Sequence, residues 1–511
     1  MIKQTTEEQI DLLVERLIRR TEKANTYFLM KIGSSIKKIR ELTPTQAQQL
    51  VQMLKYGGNY EEIIEQITKY TDLNVKDIDE IFFKYAQKDR QFYEKFYKYR
   101  NIPFEESLPL KTQRNALTRL ARNELYNFTR PNVLGYNING QFYNLRETYN
   151  QLLDTALLNV SQGKETFDSA MSNILKDIGG NGLRTIQFAS GRSMRLDSAI
   201  NMHLKSRLRE LHNENQRIIG EEIGADGVEI SVHSNPAPDH QEAQGHLFSN
   251  AQFELLNNGG NAIDYNGNTI TLDHDGKNGY RPISEMNCYH YIFSIVLGVS
   301  KPQYSEKQLK QIIDDNNKGF ELDGKHYTNY EGTQLQRQLE RKIREQKDIQ
   351  ILAKASGKTG EELLYKSQDN IRILTNKYNE LSKISGLPTK LQRMRVSQYR
   401  RKAGDTRSFY EKNLLGKTYG DITISGVSKH LLDRKTSRNL WLEDIEDGLS
   451  NPLKITDIKI DNEGRQSLQY IGEHATIVLN PVNGNIVSVW KTGSNRVKKL
   501  RGEKWWMLCK N

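Results

Sequence analysis

Cysteine is nearly absent: Cys288 and Cys509 are the two in 511 residues. Two thiols cannot build a disulfide framework. No stretch approaches the roughly 20 consecutive apolar residues that a membrane span needs. The opening MIKQTTEEQIDLLVERL lacks the apolar segment and small-residue cleavage site of a secretory signal. These absences predict a chain made in a cytoplasm and not exported by the general secretory route. Apolar residues are sparse as well, at 36%, and mean hydropathy is -0.72. That suffices for several modest cores but not one large one, and the length predicts about three domains at roughly 150 residues each.

Basic residues are in excess. Lys and Arg total 74 against 63 Asp and Glu, a net charge of +11. Such an excess favours polyanion partners, chiefly nucleic acid, over other binding classes. The plainer alternative is a solvated basic surface.

The periodicity divides the chain into four parts. Residues 1–225 read as mainly helical. Thr6 and Gln9 have capping-box spacing, and Ile10, Leu13, Val14 and Leu17 mark one helical face. A hairpin is expected around Asn139-Gly140, and a long helix over Met194–Glu222 ended by Gly224. Residues 226–330 read as α+β, with VEISVH as a strand and hairpin turns at Asn266-Gly267 and Asp323-Gly324. Residues 331–417 repeat Leu335, Leu339 and Ile343 among charges, then turn basic from Lys390 to Lys417. This part is expected to be a helical tether. Residues 418–511 predict helices over 428–438 and 441–449. Strands are then expected at KITDIKI, SLQYIG, ATIVLN and NIVSVW, with a turn at Asn483-Gly484. The fold class is therefore multidomain, mainly α and then α+β, ending in a small α+β module.

The central part holds the chain's most ligand-rich segments. SVHSNPAPDHQEAQGHLFS contains His233, His240 and His246, and NCYHYIFSIVLGVS contains Cys288 and His290. A thiolate and imidazoles suit Zn²⁺. Cys288 and His290 are two apart and share a face if extended. A structural zinc joining His233 or His240 to Cys288 and His290 is one reading. A hydrogen-bonded polar core that locks two loops is the other, and the loose ligand spacing favours it.

The same segments resemble the MuF-like minor capsid, or head morphogenesis, family of phages. The matching positions are Ser231, His233, Pro238, His240, Gln244, Gly245 and Phe248, then Asn287, Cys288, His290, Gly298, Val299 and Ser300. Ala237 stands where that family usually has Arg, and Tyr289 where Arg is frequent. The resemblance covers about residues 1–320. It implies a head component that associates with the portal and other head proteins, located in the virion and, during assembly or after delivery, in the host bacterial cytoplasm. It implies no catalysis in this region.

The last part carries a different set of groups. His430, Arg434 and Arg438 fall at helical spacing, followed by Arg465, Ser467, His474, Lys491 and Thr492. These suit metal-independent RNA cleavage. A histidine near neutrality moves the 2′-hydroxyl and 5′-oxygen protons, and cations with hydroxyl donors stabilise the phosphorane. No carboxylate cluster for a two-metal nuclease is evident in the sequence. Here the order H…R…R, G-R-x-S-x-x-Y-I-G, A-T-x-x-x-N-P-x-x-G-x-I-V and V-W-x-T resembles phage-borne toxin nucleases of the barnase–EndoU–colicin–RelE superfamily. It runs from His430 through Gly464, Arg465, Ser467, Tyr470 and Gly472 to Asn480, Pro481, Gly484, Trp490 and Thr492. That resemblance implies helices packed on a four-stranded antiparallel sheet.

The resulting expectation is a minor head protein carrying a toxin-like ribonuclease. His430 would be the acid/base. Arg438 and Arg465 would hold the phosphate. Ser467 and Thr492 would donate hydrogen bonds, and Lys491 would stabilise the phosphorane. The substrate would be RNA, with tRNA as one candidate, and an immunity protein would be a partner. No catalytic cofactor is expected. The rival expectation is a purely structural head protein whose last module binds nucleic acid or a protein without turnover.

Overall fold

The computed structural model describes residues 7–40, 60–99, 103, 105–138, 141–145, 147–148, 167–186, 191–272, 281–285, 288–400, 404–428 and 440–508. Thr6, the turn residues Asn139 and Gly140, Asn287, and His430, Arg434 and Arg438 lie outside these, as do nearly all residues of the helix expected over 428–438.

The first part is built on long helices: α1 (Glu7–Arg40), α2 (Tyr60–Tyr99), α3 (Leu108–Thr129), α4 (Phe167–Asn181) and α5 (Leu196–Ile223). A small sheet, β2-β1-β3-β4, lies among them, formed by β1 (Leu134–Ile138), β2 (Gln141–Asn144), β3 (Arg184–Ile186) and β4 (Ser193–Arg195). β1 and β2 are the expected antiparallel hairpin. α5 ends at Gly224, whose φ of 72° is the left-handed cap that glycine adopts without strain.

The central region has its own core, from Val228 and Ile230 through Phe248, Leu256 and Leu272 to Cys288. β5 (Gly227–Ile230) sits between β6 (Leu247–Ser249) and β9 (Ile292–Ile295), both antiparallel to it. Between these strands lie α6 (Pro238–Gln241), α7 (Asn250–Asn257) and the hairpin β7 (Ala262–Ile263) and β8 (Thr269–Ile270). The outer edge of β9 is covered by α5: Asn213 Oδ1 accepts from Ile292 N at 3.0 Å, and Gln216 Oε1 from Ser294 N at 3.2 Å. An open strand edge is thereby satisfied by side chains instead of a further strand. After β9 come α8 (Glu306–Lys318) and the hairpin β10 (Phe320–Leu322) and β11 (Lys325–Tyr327). Its turn, Asp323-Gly324, has both residues at positive φ, as a two-residue hairpin of this kind requires.

Two long helices follow, α9 (Asn329–Ala355) and α10 (Lys358–Ser385). Thr328 and Glu331 start α9 with a capping box. These helices are not a solvated tether. Ile349, Leu352, Leu363 and Leu364 join Val14, Phe28, Leu175 and Leu204 in one hydrophobic core. Two glycines permit close approach. A Cβ at Gly33 of α1 would stand 2.7 Å from the Ala355 Cβ, and one at Gly179 of α4 would stand 2.7 Å from the Ile349 Cα. Charged side chains tie the same elements together. Arg195 bonds Asp348 at 2.7 Å and Asp197 at 3.3 Å, while Arg344 bonds Asp197 and lies 3.5 Å from Glu22. Burial opposes the Asp197 carboxylate, but the two guanidiniums outweigh it and hold it well below its usual range. Glu22 is less well compensated, and burial pushes it up to about 7.

The C-terminal module begins earlier than residue 418. α11 (Thr406–Leu414) contributes Phe409, Tyr410 and Leu414 to a core shared with Ile445, Tyr470, Ile477 and Val489. The short hairpin β12 (Thr418–Tyr419) and β13 (Ile422–Thr423) precedes β14 (Gly426–Val427) and α12 (Leu442–Ser450). β15 (Lys454–Ile455), β16 (Lys459–Ile460), β17 (Gln466–Ile471), β18 (Ala475–Leu479), β19 (Asn485–Lys491) and α13 (Ser494–Leu508) complete it. The sheet differs from the expected four antiparallel strands. KITDIKI forms two short strands, both pairing with β17, and β14 adds parallel to β19. The order is β14-β19-β18-β17-β15, six strands with β16 included. The turn at Asn483-Gly484 forms as expected, with Gly484 at φ 66° and too close to the Thr423 carbonyl for any Cβ.

Candidate functional site

The register Ile230↔Ile292 places the ends of β5 and β9 side by side. Ser231 fixes that end: its N–H donates to the Tyr291 carbonyl, and its Oγ accepts from Tyr291 N, both at 2.8 Å. His233 leaves β5 just beyond this point, and His290 approaches β9 just before it. Their rings lie 4.4 Å apart, centre to centre. Pro238 opens the single turn α6, which turns His240 inward. Cys288 Sγ then lies 3.6 Å from His240 Nδ1 and 3.4 Å from His290 Nδ1. His240, Cys288 and His290 are all buried, each exposing 3% or less.

The surroundings hold these groups in place. His240 Nε2 meets the Arg281 carbonyl at 2.7 Å, and Arg281 grips Asp239 through two bonds. A carbonyl only accepts, so Nε2 carries the proton and Nδ1 offers a lone pair toward Cys288. Burial presses the His240 imidazole below its ordinary value and His290 further still. Burial pushes the Cys288 thiol up. A buried thiol so shifted is not a nucleophile. Other residues of the motif act on the loops: Gln244 Oε1 accepts from His233 N, and Ser300 Oγ from Val296 N. His246 stands apart from the cluster, bonded to Asp264 at 2.7 Å. Of the four ligands read from the sequence, three converge. His233 stands beside them with its Nδ1 3.1 Å from the Ser234 carbonyl.

The residues proposed for RNA cleavage do not converge in the same way. Arg465 and Ser467 lie at the start of β17. Lys491 and Thr492 lie at the end of β19, opposite Ala475, which pairs near the other end of β17. The length of the strand separates the two pairs, about 17 Å over its five steps at roughly 3.3 Å per residue. Arg465 is also engaged within its own turn, with Asp461 at 2.8 Å and Glu463 at 2.7 Å. Thr492 is buried, its hydroxyl 2.9 Å from that of Thr476, and its N–H donates to the His474 carbonyl. Lys491 is exposed. Of the expected site's members that are described, Arg465 and Ser467 therefore stand towards one end of the sheet and Lys491 and Thr492 towards the other.

Sequence reasoning missed the junction between this module and the helices. Glu362 and Lys366 of α10 form a buried ion pair at 2.9 Å. Lys366 Nζ donates to the Leu440 carbonyl at 2.8 Å and lies 3.7 Å from the centre of the Trp441 ring. Glu362 accepts from the Tyr410 hydroxyl and from Leu442 N. From α4, Ser169 donates to Asp444 at 2.6 Å, and Asn173 Oδ1 accepts from the Trp441 indole at 3.2 Å. Burial pushes Glu362 up and Lys366 down. The i,i+4 spacing is visible in the sequence, but on its own it reads as an exposed pair.

The chain belongs to the phage minor capsid protein 2 family, whose model matches residues 5–383. It is thus a bacteriophage minor capsid protein, associated with the virion, whose partners are head proteins. The match stops within α10, two residues short of its end. No curated protein and no solved structure matches the chain. Among the described residues, no helix is long and apolar enough to cross a membrane.

Proposed function

We propose that the chain is a portal-proximal structural component of the phage head, and that its C-terminal module binds nucleic acid without cutting it. The observation that carries the second half is the distribution of charge and candidate groups on the module. Arg496, Lys498 and Lys499 are exposed along α13, where they can meet phosphates, while Arg465 and Ser467 stand at the opposite end of the sheet from Lys491 and Thr492. The portal assignment rests on the resemblance of residues 1–320. The match over residues 5–383 supports the head assignment.

A second reading keeps the toxin-like ribonuclease in narrower form. It is favoured by the register that sets Lys491 opposite Ala475, next to His474, and it draws on His430 and Arg438. One experiment separates the two. The full chain is incubated with bacterial RNA and with phage DNA in magnesium-free buffer over a range of salt concentrations. The binding reading expects retention that weakens steeply with salt and leaves the nucleic acid intact. RNA cleavage abolished by His430→Ala would replace it with the ribonuclease reading. Neither retention nor cleavage would remove both.

A further inference from the structure

We propose that His240, Cys288 and His290 bind a zinc ion at the end of the central sheet, with His233 as the fourth ligand. Among the described residues this is the group of His, Cys, Asp and Glu whose ligand atoms gather closely enough, all within 4.8 Å of one another. The spacing also fits the ion. Zinc bonds of about 2.3 Å to sulfur and about 2.05 Å to nitrogen, at a tetrahedral angle, set S and N about 3.6 Å apart. The observed Sγ–Nδ1 separations are 3.6 Å and 3.4 Å. An isolated thiol–imidazole hydrogen bond would account for one such contact. Here the same sulfur receives two imidazole nitrogens from different loops.

Three further features point the same way. Metal-bound histidines usually fix their orientation by donating the other N–H to a carbonyl or carboxylate. His240 does so to the Arg281 carbonyl, and Arg281 is itself held by Asp239. The His290 ring lies 4.4 Å from that of His233 and tilted by 43° to it, so the remaining imidazole stands next to the trio. The donor set, one thiolate with imidazoles, is of the borderline-soft kind that selects zinc over magnesium or calcium. Of the three buried ligands, His240 comes from the single turn α6 and Cys288 and His290 from the segment before β9. A zinc ion would cross-link them, which is a structural role. The Cys288 proton would leave on binding, its sulfur taking the metal in its place.

The test uses the full chain. Protein expressed in zinc-supplemented medium and dialysed is analysed for metal by mass spectrometry. One zinc per chain is expected, and its absence from folded protein overturns the proposal. Cobalt exchanged into the wild-type chain should give a thiolate-to-cobalt charge-transfer band together with intense tetrahedral d–d bands. Cobalt bound without the charge-transfer band would also overturn it, because Cys288 would then not be a ligand. This readout needs no variant to fold. His233→Ala, at a half-buried position, should keep the fold and weaken zinc binding by about tenfold or more. Unchanged affinity would overturn the assignment of His233.

Discussion

Lys366→Met is the most informative perturbation of the junction between the helices and the C-terminal module. Methionine keeps the stem that packs on Trp441 but removes the charge. Glu362 is then left buried without the Lys366 ammonium, still accepting from Tyr410 and Leu442 N. Breaking a buried pair in this way costs about 3–5 kcal/mol, because an uncompensated charge remains. Glu362 has an escape, since burial already raises its carboxyl. It can protonate, and the cost should therefore be largest at alkaline pH and fall as pH drops. Glu362→Gln with Lys366→Met removes both charges and retains an acceptor for the two donors. The double variant should return to within about 1 kcal/mol of wild type, as replaced buried pairs often do. Thermal unfolding at pH 8 and at pH 5.5 measures these differences. Limited proteolysis between residues 386 and 405 reports whether the module has come loose. If Lys366→Met lies within about 0.5 kcal/mol of wild type at pH 8, or the double variant is as damaged as the single one, the pair does not hold the junction.

Other outcomes follow from the same geometry. Glu22 has a folded-state pKa of about 7, above the ordinary 4.5, so the native state binds the extra proton. Stability should therefore fall as pH rises from about 4.5 to 7. Glu22→Gln should raise stability by about 1–2 kcal/mol at pH 8, at about 1.4 kcal/mol per pKa unit less the lost Arg344 contact; equal pH profiles in denaturant titrations would contradict this. Gly179→Ala would normally strengthen a helix, but the added carbon meets the Ile349 backbone. A loss of about 1–3 kcal/mol is expected in thermal melts, and a gain would show that α4 and α9 separate readily. Trp441→Ala should cost about 3–5 kcal/mol and open the 386–405 segment to protease, since its ring lies in the helical core; a protease-resistant variant would rule out Trp441 as the anchor.

Local signals in the sequence were sound where chemistry is local. The Asp323-Gly324 and Asn483-Gly484 turns, the β1–β2 hairpin and the Gly224 stop all fall where residue type and spacing place them. The helices taken for a tether show where that logic ends. α9 is rich in polar residues, but Gln336, Glu340, Asp348 and Gln350 are buried. Their partners are distant in sequence: Ser382, Tyr378, Arg195 and Gln368. A polar residue that finds a remote partner has the same letter as one that faces water. The His/Cys cluster was legible because ligand types are scarce in this chain. The described members of the expected cleavage site lie towards two ends of one strand, a separation set by strand register and not by residue type. Arg465 already has Asp461 four residues away, an engagement that the sequence displayed.

The junction also limits how this chain can be re-engineered or recombined. Glu362 and Lys366 lie inside the stretch that matches the family, and the residues they grip lie beyond it. A head protein of this kind cannot simply be trimmed at residue 385 or fitted with an unrelated tail. Doing so would strip the cover from a carboxylate, an ammonium and the hydroxyl of Ser169 together. Socket and plug would have to be exchanged as a unit. Chimeras that keep Ser169, Asn173, Glu362 and Lys366 together with the module they contact should therefore be tolerated better than those joined after 385.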